Sequence, residues 1–361
     1  MGMAARTLDA LNFRSFASYE LELDRGVTIL VGRNAAGKTN LIEALQLLTA
    51  GQSFRKPRTG ELLREGSERG RIELLMEGDG RSVRTACELE EGKRSFLFNG
   101  KRVQAGGIRG TLPSVLFCPD HLDMVKRSAS VRREALDSFG VQLNAQYAKL
   151  SSSYDRIVTQ RNSLLKDPEC PPDLLRAWSD SLVSTGSSLL MHRIALLERI
   201  RGRFRSIYAT IAPHEHADLS YETSIGGMPG SREEAAGMFE AALEASAEDE
   251  ARRGVTLVGP HRDEILFTID GRPAREYGSQ GQQRSIVLAW KIAEVQVTRD
   301  ILGQNPILLL DDVMSELDAA RRESIVSFVE GEIQTVITTT NLGYFSSGIL
   351  DGAKVVAIGD E

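Results

Sequence analysis

Eight consecutive residues carry the clearest chemistry: Gly32-Arg33-Asn34-Ala35-Ala36-Gly37-Lys38-Thr39. They match the spacing G-x-x-x-x-G-K-[ST] of a phosphate-binding loop in full. Glycine lets the backbone turn tightly and aim its N–H groups inward. A following helix adds the positive end of its dipole beneath the phosphates. In that arrangement Lys38 reaches the β- and γ-phosphates, and the Thr39 hydroxyl ligates Mg²⁺. The flanks agree, since residues 26–31 read as a buried strand and residues 39–49 as an apolar-periodic helix. The expected cofactors are ATP and Mg²⁺.

A second segment complements the loop. Ile307-Leu308-Leu309-Leu310-Asp311-Asp312 is an apolar strand ending in two acids. Unpaired buried charge is expensive, so carboxylates at a buried strand end need a partner. Asp311 is expected to hold Mg²⁺ together with Thr39. Asp312 sits one residue on, where a base can orient an attacking water; with Lys38 it forms the expected catalytic pair.

The elements that must position these residues are legible in outline. Residues 8–13 and 19–23 read as strands, as do 72–76, 95–98 and 112–118, with Asn99-Gly100 as a turn. From about 132 to 211 glycines are few and helical patterns long. Leu190, Ile194, Leu197, Ile200, Phe204, Ile207 and Ile211 step by four and three. Pro168, Pro171 and Pro172 break this stretch into two arms. An antiparallel helical pair fits, with the stripe as its packing seam. Residues 212–254 read as a loose polar segment with one short helix. Strand patterns return at 255–258, 265–270, 307–310 and 335–339, and a helix fits 281–301. The fold class is therefore α/β, with two lobes and a helical insert. Lobe I is expected over 1–120 and 300–361, and lobe II over 121–299, with the insert at about 132–250.

Composition excludes several classes. The chain has 361 residues, 41% hydrophobic and 26% charged, as an ordinary globular protein does. No run of apolar residues is long enough to span a membrane, and residues 1–15 lack the apolar core of a secretory signal. A cytoplasmic protein without a membrane partner is expected. Cys87, Cys118 and Cys170 are scattered and read as reduced, buried thiols. His214 and His216 lack the companions of a zinc site, so no structural metal is expected. The net charge is −6 but unevenly spread. Residues 231–250 carry seven acids against one arginine, whereas residues 51–110 carry thirteen Lys or Arg against nine acids. A local basic face can bind phosphates whatever the global sign. The candidates for DNA contact are Arg55, Lys56, Arg58, Lys101, Arg102, Arg109, Lys126 and Arg127.

Phosphate loops serve kinases, GTPases, helicases and transporters alike, so the motif alone gives no function. Ser279-Gln280-Gly281-Gln282-Gln283-Arg284 narrows the class. It opens a helix and resembles the ABC signature, with Ser279, Gly281 and Gln282 in pattern and Gln280 in place of a glycine. Ser315-Glu316-Leu317-Asp318 follows the acidic strand as a D-loop does. Asn12-Phe13-Arg14-Ser15-Phe16 resembles the N-terminal motif of SMC-type heads, where the arginine contacts nucleotide or DNA. Gly259-Pro260-His261-Arg262-Asp263 and Tyr277-Gly278 before the signature complete a set that resembles the RecF family. So do Pro119-Asp120, Val131-Arg132-Arg133 and Leu136-Asp137. The resemblance spans residues 12–318 in the family's order.

What the resemblance implies is a two-lobed ABC/SMC-type P-loop ATPase head acting in recombinational DNA repair. ATP would drive homodimerisation around DNA, whether duplex, gap junction or single strand. Slow, DNA-stimulated hydrolysis would reopen the clamp, and RecR and RecO would be partners in loading the recombinase. One phosphate loop and one signature per chain require two copies for two complete sites. Two departures stand out. Thr338, Thr339, Thr340 and Asn341 occupy the place of the switch histidine, where a Thr hydroxyl could bond the γ-phosphate. Asp120 is the nearest group to where a glutamine is usual. The rival readings are an ABC transporter motor and a nucleotide-gated DNA scaffold whose ATPase is vestigial.

Overall fold

Polar and apolar residues alternate along Ile72, Leu74 and Met76, and along Leu8 and Ala10, and such alternation builds a sheet with one buried face. A computed structural model describes residues 2–329 and 333–359 of the chain. Two units are present: residues up to Leu122 with those from Val287 onward, and residues Asp123–Ile286.

The first unit contains two sheets. Strands β1 (Ala4–Phe13), β2 (Phe16–Glu22), β4 (Arg69–Gly78), β5 (Arg81–Glu90), β6 (Lys93–Phe98) and β7 (Lys101–Val103) form an antiparallel sheet in the order β2-β1-β4-β5-β6-β7. Asn99 and Gly100 both take positive φ, 47° and 77°, and close the β6–β7 hairpin. Strands β3 (Val27–Val31), β8 (Ser114–Phe117), β12 (Ile307–Asp311), β13 (Thr335–Thr339) and β14 (Lys354–Ala357) form a parallel sheet ordered β14-β3-β13-β12-β8. Helix α1 (Lys38–Ala50) lies in the core that both sheets share. Its Leu41, Ile42, Leu45 and Leu48 are buried with Leu8 and Leu74 of one sheet and Leu30, Leu309 and Val336 of the other. A helix apolar on nearly every side belongs in such a core. The short helices α2 (Thr59–Leu62) and α3 (Pro119–Leu122) follow α1 and β8.

The second unit is built on helices α4 (Ala129–Leu143), α5 (Ala145–Leu165), α6 (Pro172–Ile211) and α7 (Arg232–Arg253). Strands β9 (Ala217–Glu222), β10 (Glu264–Ile269) and β11 (Arg272–Pro273) make a small antiparallel sheet, and helix α8 (Ala274–Tyr277) follows. Helix α6 runs unbroken for 40 residues, a length of about 60 Å. It pairs antiparallel with α5: Arg161 Nε donates to Ser179 Oγ at 3.0 Å, and the rings of Tyr147 and His192 lie 6.1 Å apart.

Several expectations need correction here. The first arm is two helices, because Asn144 leaves the helical region (φ −146°) and its side chain caps Gln146 N and Tyr147 N. The apolar stripe is not solely a helix–helix seam, since the Phe204 ring packs at a tilt, 6.1 Å from that of Phe267 of β10. Residues 212–254 are far from loose: they hold β9 and the 22-residue α7, which Ser231 caps through Glu234 N. Residues 255–258 form no strand. Side chains take over their backbone groups instead, with Asn162 Oδ1 accepting from Thr256 N and Glu250 Oε1 from Leu257 N. Cys170 is only half-buried, whereas burial pushes the Cys87 and Cys118 thiols up to about 12 and about 11. The second unit ends within helix α9 (Gln280–Leu302), at Ile286 rather than 299, because Leu288 and Ile292 pack beside Phe117, Leu308 and Leu310 of the parallel sheet.

Candidate functional site

In a parallel sheet, ligands sit beyond the carboxyl ends of the strands. The site residues of the first unit converge there. The loop after β3 enters α1 with Ala35 at φ 66° and Gly37 at φ 101°. A Cβ on Gly37 would lie 2.6 Å from the Phe16 ring, and one on Gly32 would lie 2.3 Å from Ile358 O. Only glycine fits at either point. Lys38 is buried, and its ammonium donates to Gly32 O at 2.7 Å and Arg33 O at 2.8 Å, which holds it over the loop.

Thr39 Oγ1 donates to Asp311 Oδ1 at 2.9 Å across 272 residues of sequence. The loop and the acidic strand end are thus one site. A hydroxyl and a carboxylate are the hard oxygen donors that Mg²⁺ takes. Burial pushes the Asp311 carboxyl above its usual range, against the bonds from Thr338 and Thr39. Asp312 adopts φ 53°, and its buried Oδ1 has no hydrogen-bond partner among the described residues. Burial raises its pKa as well, with Lys38 opposing and Glu316 adding. An orphaned, weakly acidic carboxylate beside the phosphate loop is what a water-orienting base needs.

Some residues do other work than expected. The Arg14 guanidinium grips Glu43, Nε at 2.9 Å and Nη2 at 2.8 Å, and donates through Nη1 to Glu61 O. Glu43 is fully buried on α1, one turn past Thr39, and also accepts from Ser53 Oγ at 2.5 Å and Arg55 Nη1 at 3.4 Å. Arg55 further donates to Asn40 Oδ1 at 3.0 Å. Sequence reasoning missed Glu43; an acid inside an otherwise apolar helix was the available signal. Arg109 is half-buried, and its Nε caps α1 at Ala50 O, so it serves the helix end. Lys56, Arg58, Lys101 and Arg102 are exposed. Thr339 spends its hydroxyl on the Asn341 backbone, and Thr338 bonds Asp311 and the Asp312 amide, so neither offers a proton to a γ-phosphate. Asp120 is exposed at the carboxyl end of β8.

In the second unit the signature stretch opens α9 as a capping box. Gln282 N donates to Ser279 Oγ at 3.2 Å, and Ser279 N to Gln282 Oε1 at 2.8 Å. Gln282 is steadied by Glu215 at 3.0 Å, which also accepts from Tyr208 OH at 2.6 Å. Gly281 is half-buried, and Ser279 is exposed. Lys126 and Arg127 lie exposed on a turn whose carbonyls Arg132 holds.

Gly259, Pro260 and Asp263 are buried in a polar knot, His261 is half-buried and Arg262 is exposed. Arg193 forks onto Asp137 (2.9 and 2.6 Å) and reaches Pro260 O, while Asp263 accepts from Tyr221 OH and Ser224. Thr256 O can only accept, so His261 Nε2 carries the proton and Nδ1 accepts from Tyr154 OH at 2.8 Å. Burial lowers the His261 pKa from 6.5 to about 4. Between those values the unfolded chain holds a proton that the folded chain refuses. This contribution is full above pH 6.5 and lost as pH falls toward 4. Urea midpoints at pH 7 and pH 5 should therefore fall further for the parent chain than for His261→Gln; parallel losses would show that His261 is not the group responsible.

Phosphate loop, acidic strand end and helix-opening signature on this α/β scaffold define an ABC/SMC-type P-loop ATPase. The family described as RecF/RecN/SMC N terminal domain matches residues 5–356. A protein of Gloeobacter violaceus named DNA replication and repair protein RecF is 37% identical over 99% of this chain and 97% of its own length. One of the same name from Pelotomaculum thermopropionicum is 37% identical over 99% and 98%. A solved structure of the recombination mediator protein RecF-ATPrS in the RecFOR pathway superposes with a TM-score of 0.90 at 30% identity, covering 96% of this chain and 94% of that one. An Smc head at 15% identity and a TM-score of 0.58 shares the fold. The chain belongs to the RecF family.

Proposed function

We propose that this chain binds ATP and Mg²⁺ at the loop from Gly32 to Thr39 and pairs with a second copy on DNA. The hydrogen bond from Thr39 to Asp311 carries the reading, because it joins the loop to the carboxylate that would share the metal. Lys38 holds the β- and γ-phosphates, Thr39 and Asp311 hold Mg²⁺, and Asp312 orients the attacking water. Bound Mg²⁺ supplies charge neutralisation of the phosphates. Arg33, Asn34, Ala35 and Ala36 contribute loop amides. Arg14 braces the site through Glu43, a role closer to support than to direct nucleotide contact.

The two units act as the two lobes of such a head. Ser279, Gly281 and Gln282 meet the γ-phosphate held by the partner copy, and the closed pair clamps DNA through exposed cations such as Lys56, Arg58, Lys101, Lys126 and Arg127. The relatives' name, and the RecFOR pathway of the structural neighbour, support a recombination mediator working with RecR and RecO. Family membership sets the transporter motor aside.

Light scattering tests the pairing. Mass should double with ATP and Mg²⁺, stay monomeric with ADP, and fail to rise for Ser279→Arg. A monomer under every condition would remove the shared-site mechanism.

A further inference from the structure

We infer that Thr338 is a positioning residue that sets both acids of the site through one buried hydroxyl. The inference rests on the ATPase reading above and deepens it. Strands β12 and β13 run parallel in a register that pairs Asp311 with Thr338. This places the Thr338 side chain against the acidic strand end, with no exposure to solvent.

A hydroxyl has one proton to give and lone pairs to accept with. The Asp311 carboxylate can only accept, so the Thr338 proton goes to Oδ1 at 2.8 Å. The Asp312 amide can only donate, so it gives its hydrogen to Thr338 Oγ1 at 2.9 Å. Both capacities are committed, and the hydroxyl has no rotational freedom left. Asp311 Oδ1 also receives the Thr39 proton at 2.9 Å. One carboxylate oxygen thus takes two hydroxyls, which fixes its rotation and leaves the Thr39 lone pairs free for the metal.

The bond to the Asp312 amide does separate work. Asp312 sits at φ 53°, a left-handed conformation that costs a non-glycine residue about 1–2 kcal/mol. Such a backbone persists where neighbours over-determine it, and Thr338 is the side chain that anchors its amide. Valine has the same shape and favours strands as well, but it would release both acids. Thr338 therefore replaces the histidine usual after this strand by a different device. It acts through Asp311 and Asp312, and touches no phosphate itself.

The test compares Thr338→Val with Thr338→Ser in the full chain. Groups that hydrogen-bond to metal ligands and orient them are worth about 10–100-fold in activity or metal affinity. Thr338→Val should lose turnover by that factor and need correspondingly more Mg²⁺ for half-maximal rate. Without nucleotide, its Asp312 amide should exchange with deuterium about tenfold faster, the worth of one hydrogen bond. Thr338→Ser should restore all three, with thermal midpoints close to the parent's. Should the valine chain fail to fold, Thr338→Ala is read against Thr338→Ser in the same way.

Parent-like behaviour of Thr338→Val on turnover, Mg²⁺ requirement and exchange overturns the proposal. So does equal impairment of the valine and serine variants, which would mean that methyl packing matters and not the hydroxyl. A parent chain that binds no ATP overturns the ATPase reading along with it, whereas an active parent beside an unaffected valine variant overturns this inference alone.

Discussion

Asp312→Asn should lower ATP turnover by about 100–10,000-fold, the range expected when a positioned base is removed, while leaving ATP affinity intact. The geometry isolates the effect. The side chains have the same shape, and Asn tolerates the left-handed conformation at φ 53°. The amide that Thr338 anchors is kept, since it belongs to the backbone. What changes is the carboxylate, whose buried Oδ1 has no partner among the described residues, since an amide can no longer accept a proton. Lys38 and the loop amides remain, so the triphosphate still binds. With ATP the variant should stay dimeric long after the parent has returned to monomer. Steady-state phosphate release and mass over time measure both. Turnover within about threefold of the parent would favour the rival in which the DNA complex assembles on bound ATP and hydrolysis is incidental.

A large stability effect is expected at Arg193. Its side chain is 5% exposed and forks onto Asp137, which is 21% exposed. Removing one partner of a buried ion pair leaves the other charge uncompensated, at a cost of about 3–5 kcal/mol. Arg193→Met should lose that much in urea denaturation, because Pro260 O, Tyr221 OH and Asp137 all lose a donor together. The double variant Arg193→Met/Asp137→Leu should regain much of it, since an apolar pair of similar volume leaves no buried charge behind. Additive losses in the double variant would show that the two residues are not coupled. A single-variant loss below about 1 kcal/mol would place the pair among weak surface bridges.

These expectations draw unequally on sequence and on structure. The phosphate loop was legible because its geometry needs glycines where side chains would strike Phe16 and Ile358, so the residue types themselves carry the signal. The acidic strand end was legible because two acids after four apolar residues contradict simple burial. The resemblance added the signature, which spacing alone could not separate from an ordinary helix cap, and the capping box at Ser279 and Gln282 shows why the two look alike.

Much else was hidden. Residues 212–254 read as loose because α7 is rich in acids, yet Ala235, Phe239 and Leu243 give it a narrow buried face. Residues 255–258 read as a strand because alternation reports exposure and not hydrogen-bond partners. Arg109 reads as a candidate DNA contact in the sequence, whereas in the fold its Nε donates to Ala50 O at the end of α1.

The phosphate loop and the acidic strand end are legible in the chain itself, because their demands act on residue type over a few neighbouring positions. Which side chains meet there depends on how distant parts of the chain fold together. Thr39 and Asp311 are 272 residues apart and meet within 2.9 Å, Glu43 gathers Arg14 and Arg55, and the parallel register brings Thr338 against both acids. Hydrogen bonds are short-ranged and directional, so their partners are set by strand order and register, and neither quantity is written in local spacing.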